Sequence, residues 1–84
     1  MQSEQWAEVL SRPSIVDLPM QDRAFIGLAR ALTVVEDKVI IAVPNDFTKD
    51  VIETRLRPAV ETAVQEVLGT EMAMHVIEIG RAHV

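Results

Sequence analysis

The sequence has few or none of the residues that small domains use for catalysis or for disulfide cross-links. It contains no cysteine and no tyrosine, and its aromatic residues are one tryptophan and two phenylalanines. The absence of cysteine excludes disulfide bridges, thiolate metal sites and cysteine nucleophiles. So few aromatic side chains also leave few surfaces on which nucleic-acid bases can stack.

Glycine and histidine are equally scarce, and their positions form no familiar site. Gly27, Gly69 and Gly80 make neither a phosphate-binding loop nor the GXXG loop of nucleic-acid-binding KH domains. We therefore expect that this chain alone neither binds nor hydrolyses ATP. His75 and His83 have no spacing typical of a catalytic triad or a metal pair, so we expect no enzyme activity, metal or cofactor in this chain.

Length and charge narrow the class of protein further. The chain has 84 residues, enough for one domain, and its formal net charge is −5. Because nucleic-acid affinity depends on neutralising phosphates, we expect at most weak binding to single-stranded DNA. No apolar run approaches the ~20 residues that span a bilayer, and residues 1–4 lack the features of a signal peptide. We therefore expect a cytoplasmic protein with no membrane contact.

Two short helices are predicted at the start of the chain. The first covers about residues 5–11, with Ser3 as its N-cap, and Pro13 prevents its continuation. The second begins near Asp17, which we expect to cap it, and a close contact with a sheet would explain Gly27 in its interior. The apolar residues at helical spacing that we expect to face inward are Met20, Ala24, Phe25, Leu28 and Leu32.

A β-hairpin and a long helix are predicted next. Residues 32–35 and 39–43 are rich in β-branched side chains and flank the polar residues 36–38, a pattern that indicates a hairpin. Pro44 ends the second strand, and Asn45 is expected to cap the helix that follows. The predicted core stripe of that helix consists of Phe47, Val51, Ile52, Leu56, Ala59, Val60, Ala63, Val64 and Val67.

The second half of the chain completes the fold prediction. Pro58 predicts either a kink in the long helix or two helices that meet near Arg57, and Glu53 is expected to pair with Arg57. Gly69 ends the helix, and residues 72–79 form a last strand that runs parallel to the second hairpin strand. The order ααββαβ predicts an α+β domain with helices packed on a small three-stranded sheet.

Three segments carry a resemblance to a known family. Residues 5–10, QWAEVL, have a tryptophan followed by a leucine four positions later, and residues 25–28 read FIGL. Residues 43–47, VPNDF, place a "PN-x-F" junction after an apolar strand. In order and spacing these segments resemble the N-terminal domain of the bacterial replication initiator DnaA. The chain departs from the family at Leu28, where an aromatic is common, and at Ala24, where some members have an acidic residue that contacts the helicase.

The resemblance implies a KH-like fold and a role in protein interaction, without a GXXG loop. Residues 1–84 would form one N-terminal interaction domain of a longer initiator, docking the replicative helicase or regulator proteins at the origin and associating with itself as a weak homodimer. ATP and origin DNA would be bound by other domains of that initiator. The implied self-association residues are Trp6, Val9 and Leu10, and the implied docking residues are Asp22, Asn45, Asp46 and Phe47.

Other interpretations of these residues stay open at this point. A small KH-like nucleic-acid-binding domain is the alternative function. Trp6 is as compatible with the core as with an interface, because tryptophan is common in both places. Phe47 fits the core stripe by spacing alone, and capping alone accounts for Asn45.

Overall fold

The computed structural model describes residues 3–79 and shows five helices and three strands within them. In chain order they are α1 (Ser3–Leu10), α2 (Pro13–Val16), α3 (Met20–Gly27), β1 (Arg30–Val35), β2 (Lys38–Val43), α4 (Asp46–Thr54), α5 (Arg57–Leu68) and β3 (Ala73–Glu78). The arrangement confirms the predicted α+β class and the ααββαβ order. The additional helices are α2 and the second half of the divided long helix.

The short helix α2 differs from the sequence prediction, in which Pro13 only prevents the continuation of the first helix. Proline is also well suited to the first turn of a helix, where its missing N–H has no partner to lose. Pro13 begins α2, and the backbone N–H of Asp17 donates to its carbonyl at 2.9 Å. Asp17 therefore ends α2 and does not cap α3, which follows Pro19 without a side-chain cap. Ser3 is a helical residue of α1, not a cap that precedes it.

The inward face of α3 differs from the predicted one. Ile26 is the buried residue of this helix, and Phe25 is half-buried. Ile26 and the buried Ala29 are three residues apart, so the last turn of α3 packs against the core as the chain enters β1. A Cβ atom added to Gly27 would have no neighbour within 4 Å, so the expected close contact with the sheet is wrong. The residues predicted to face inward that are instead exposed are Met20, Ala24, Leu28 and Leu32.

The long helix is divided, as one of the two alternatives for Pro58 predicted. α4 and α5 are separate helices, and Pro58 lies in the first turn of α5, where its lack of an N–H costs nothing. Leu56, between them, is only 1% exposed and joins both helices to the core. Gly69 ends α5 in the left-handed conformation, with φ 73°, and its N–H donates to the carbonyl of Gln65 at 2.8 Å. The predicted C-terminal stop is thereby confirmed.

The ion pair predicted between Glu53 and Arg57 is replaced by two others. The Glu53 carboxylate accepts from Lys49 Nζ at 3.2 Å, within α4. Arg57 Nη1 lies 3.0 Å from Glu61 Oε2, within α5. Arg57 keeps a contact with Glu53, because its Nε donates to the Glu53 backbone carbonyl at 2.9 Å. The division of the helix thus places the Arg57 side chain between the end of α4 and the first turns of α5.

The three strands form one sheet in the order β1-β2-β3. β1 is antiparallel to β2 and β3 is parallel to it, which confirms the predicted direction of the last strand. The register of β1 shifts between Ala31 and Thr33, so Leu32 forms a bulge. The strand residues that face the helices and are buried in the core are Val39, Ile41, Val43, Met74 and Val76.

Side chains of α5 occupy the outer edge of β3. The Glu61 carboxylate accepts from the Met74 N–H at 2.9 Å, and Arg57 Nη1 donates to the Met74 carbonyl at 2.9 Å. One turn further along α5, Gln65 Nε2 donates to the Met72 carbonyl at 2.9 Å. The first backbone groups on this open edge therefore have partners from within the domain.

The core lies between the helices and one face of the sheet. α1 and α2 pack against α5, whereas α3 packs against α4. Thr48 is the buried polar residue among the described ones, and no buried side-chain polar atom in that part of the chain is left without a hydrogen bond. None of the helices within residues 3–79 is long and apolar enough to cross a membrane.

Candidate functional site

The start of α4 is a tightly capped turn at the end of the central strand. Asn45 adopts an extended conformation, with φ −155°, and its Oδ1 accepts from the Thr48 N–H at 2.8 Å. The predicted cap is confirmed. Asp46 follows in the first turn, where the helix dipole favours a negative charge. Residues 45–47 are all exposed, so the capped turn presents three consecutive side chains to solvent.

Phe47 points away from the core, contrary to its predicted place in the core stripe. Its side chain is 66% exposed. The buried residues of α4 are Thr48, Val51 and Ile52. These follow the helical spacing of three and four, so the inward face begins one residue after Phe47, a rotation of about 100° around the helix.

Phe47 is nevertheless held in place by a second aromatic residue. The ring centroids of Phe25 and Phe47 are 5.5 Å apart and the ring planes meet at 63°, an edge-to-face contact. Phe25 is half-buried and packs against the core. The contact therefore restrains the Phe47 ring from one side and leaves most of the residue accessible. We call Phe25, Asn45, Asp46 and Phe47 the α4-start patch.

Asp22, a predicted docking residue, has a partner within the domain. Its carboxylate accepts from Arg55 Nη2 across the contact between α3 and α4, and its side chain is 15% exposed. The same helix contact brings Phe25 to Phe47. Asp22 thus lies near the α4-start patch and joins α3 to the end of α4 through its ion pair with Arg55. Its side chain has little exposed surface for a partner.

The predicted self-association residues are divided between surface and core. Val9 is 0% exposed and belongs to the core cluster, so it has no surface to offer a second copy. Trp6 and Leu10 are half-buried and pack against that cluster, with Ala7 exposed beside them. Within the fold, α1 packs against α5 whereas the docking residues lie on α3 and at the start of α4. The two predicted sites are therefore on different helix pairs.

A groove that was not predicted lies at one end of the sheet, with a volume of about 320 Å³. Its lining consists of Leu28, Arg30, Leu32, Ala42, Val43, Pro44 and Ile79. The helical spacing of Leu28 and Leu32 predicts that both face inward, so the sequence does not predict a groove here. In the sequence, Leu28, Arg30 and Leu32 alternate with two alanines, and such alternation is typical of residues that share one face.

The positions of the histidines give little support for catalysis or metal binding. His75 is exposed on β3, and His83 lies outside the described residues. Over residues 3–79, no cluster of three or more histidine, aspartate or glutamate side chains is arranged to hold a metal ion.

No protein-family model matches the chain. The resemblance to the N-terminal domain of DnaA therefore rests on residues 5–10, 25–28 and 43–47. In the structure the last two of these segments meet, because Phe25 contacts Phe47.

Proposed function

We propose that this chain is a protein-interaction domain of a replication initiator of the DnaA kind, and that it docks a replicative helicase or an initiation regulator through the α4-start patch. The observation that carries the proposal is the exposure of Phe47 on a capped helix start, at the position where the sequence resembles that family. The interaction is one of binding, and catalysis by this chain is not part of the proposal.

An exposed phenylalanine supplies the free energy for docking. Burial of a whole phenylalanine side chain contributes roughly 1.5–3 kcal/mol, so covering the exposed part of Phe47 would contribute about 1–2 kcal/mol. Aromatic residues that enter a partner's pocket carry a large part of the affinity in many interfaces. Phe47 is suited to that role because its ring already lies outside the core.

The patch is also preorganised. The Asn45 cap holds the first turn of α4, and Phe25 restrains the Phe47 ring from one side. Little conformational entropy is then lost when a partner binds. Asp22 supports the same geometry by holding α3 against α4 through Arg55. We therefore assign Asp22 a positioning role and expect Asp46 to supply the acidic contact.

The proposal also covers self-association, nucleic-acid binding, ATP binding and cellular location. Trp6 and Leu10 would provide a weak self-association surface, while single-stranded DNA would bind weakly at most. Origin DNA and ATP would be bound by other domains of the initiator, and the protein would act in the cytoplasm. The net charge of −5 supports a minor role for direct DNA contact.

The substitution Phe47→Ala tests docking directly. We expect the affinity for the purified replicative helicase of the same cell to fall about thirtyfold, because an anchoring aromatic contributes about 2 kcal/mol. The free energy of unfolding should change by less than about 1 kcal/mol, since the side chain is mostly exposed. Biolayer interferometry and urea denaturation of the same variant measure both quantities.

The matched control is Val35→Ala, which also truncates an exposed apolar side chain. Val35 pairs with Lys38 beside the hairpin turn, at the opposite end of β2 from the start of α4. It should leave helicase affinity unchanged. Equal affinity of the Phe47→Ala variant and the wild-type chain would contradict docking through the patch.

A further inference from the structure

The groove at the end of the sheet is a second concentration of exposed apolar surface. Leu28, Leu32 and Ile79 all line it and are between 40% and 51% exposed. The bulge in β1 leaves Leu32 without a cross-strand partner. Bulges commonly redirect a side chain beside a functional site. Ala42, which pairs with Arg30 and Ile77, contributes a small side chain to the groove lining.

The groove also contains one cation that has no partner. Arg30 is the only charged residue of its lining. Within residues 3–79 its guanidinium makes neither an ion pair nor a hydrogen bond, whereas five of the other basic side chains in that range are ion-paired. The exposed Arg23 of α3 is also without an ion pair within residues 3–79, so Arg30 is distinguished by its position among the apolar residues of the groove.

The outer face of the sheet continues from the groove, and its paired rows carry no acidic side chain. Strand pairing places three rows of residues on this outer face, and all nine are apolar, polar or basic. The rows are Val35, Lys38 and Ala73; Thr33, Ile40 and His75; and Arg30, Ala42 and Ile77. Ala42 is buried but is not part of the core cluster, which agrees with its position on this face.

We infer that the groove is a binding site for a short segment of a partner protein that carries aliphatic side chains next to a carboxylate. The aliphatic side chains would cover Leu28, Leu32 and Ile79, and the carboxylate would pair with Arg30. Arginine binds carboxylates through two parallel hydrogen bonds, so the free guanidinium selects an acidic over a neutral residue. This site is separate from the α4-start patch. The inference does not depend on which protein docks at that patch.

Other occupants fit the groove less well. Single-stranded nucleic acid would require stacking surfaces and several cations, but the lining has no aromatic residue and one positive charge. An added β-strand would have to pair along the outer edge of β1, which the bulge at Leu32 interrupts. A carboxylate-bearing segment satisfies both the apolar lining and the charge.

The experiment uses a hexapeptide with three leucines and one aspartate between terminal serines, and a second peptide with asparagine in place of aspartate. Nitrogen-15 NMR titration of the whole chain should shift the amide signals of residues 28–32 and 42–43. Affinity should be weak, on the order of 1 mM or somewhat tighter, because six residues cover far less area than a standard interface. We expect the aspartate peptide to bind about fivefold more tightly than the asparagine peptide.

Arg30→Gln should remove that preference while the apolar contact remains. The matched control is Arg23→Gln, which changes the charge equally at an exposed arginine of α3 that does not line the groove. It should keep the fivefold preference. Thermal unfolding of both variants confirms that they remain folded.

Several results would overturn the inference: no shifts in the groove, equal binding of the two peptides, or a preference that survives Arg30→Gln. Displacement of the peptide by an equal concentration of oligothymidine would assign the groove to nucleic acid. Shifts that appear with protein concentration alone would assign it to a second copy. Phe47→Ala should leave the peptide preference unchanged, so failure here and failure of helicase docking are separate outcomes.

Discussion

The two surfaces that resemble interaction sites are built in opposite ways. At the start of α4, Phe47 is mostly exposed and its ring contacts the half-buried Phe25. On α1, Trp6 is half-buried against the core, and Val9 beside it is fully buried. We therefore expect a change at Phe47 to alter binding with little effect on folding, and changes on α1 to alter both. Stability and binding have to be measured together to separate the two surfaces.

Val9→Ala should have the largest effect on stability. Removal of two methyl groups from a fully buried valine leaves a cavity, and we expect the free energy of unfolding to fall by about 2–3 kcal/mol. Urea denaturation monitored by circular dichroism measures the change, with Val35→Ala as an exposed control of the same chemistry. A Val9→Ala variant that is stable but no longer dimerises would place Val9 in the interface. The two surfaces would then no longer differ in how closely binding is tied to folding.

Trp6→Ala should have an intermediate effect on stability and the larger effect on association. The indole is half-buried, so we expect a loss of about 1–2 kcal/mol in a chain that remains folded. The wild-type chain should dimerise weakly, in the micromolar range or above, because the exposed part of α1 is small. Sedimentation velocity over a wide concentration range should show a dimer that the variant lacks.

The control for α1 is Ala7→Ser, which alters an exposed neighbour of Trp6 without removing apolar bulk. It should retain at least part of the dimerisation. A wild-type chain that stays monomeric at millimolar concentration would assign Trp6 to the core alone.

Substitution of Asn45 should have a small effect on stability, and it separates helix capping from direct contact with the helicase. Asn45→Ala removes the cap and should cost about 1 kcal/mol, whereas Asn45→Asp caps equally well and should cost little. If the Asn45 amide contacts the helicase, both variants should bind more weakly. Retention of full helicase affinity by Asn45→Asp would limit Asn45 to capping.

Local chemistry accounts for the parts of the fold that were predicted correctly. The hairpin around residues 36–38, the cap at Asn45 and the stop at Gly69 each depend on a few neighbouring residues with strong conformational preferences. The parallel direction of β3 follows from its connection to β2 through helices. These features need no knowledge of tertiary contacts.

The incorrect assignments concern which side of a helix faces the core. In α4 the inward face includes Thr48, a polar residue that a hydrophobic pattern does not count, so Phe47 was assigned in its place. In α3 several apolar residues face solvent, and the buried position, Ile26, was overlooked. Helix orientation is decided by packing among α3, α4 and the sheet, which a single sequence does not reveal.

The same limit applies to the candidate sites. The resemblance identified Asn45 and Phe47, but the ion pair that occupies Asp22 joins residues 33 positions apart. The groove joins residues from Leu28 to Ile79, so it too exists only in the folded chain. Candidate residues that lie in one local segment can be proposed from the sequence, whereas candidate sites formed by tertiary contacts cannot.

The edges of the sheet have a consequence for solubility. β1 is interrupted by its bulge, and Arg57, Glu61 and Gln65 occupy the backbone groups at the start of β3. Exposed regular edges allow sheets of neighbouring molecules to fuse and aggregate, whereas bulges and charged side chains suppress that process. These features therefore disfavour edge-to-edge pairing between the sheets of neighbouring copies.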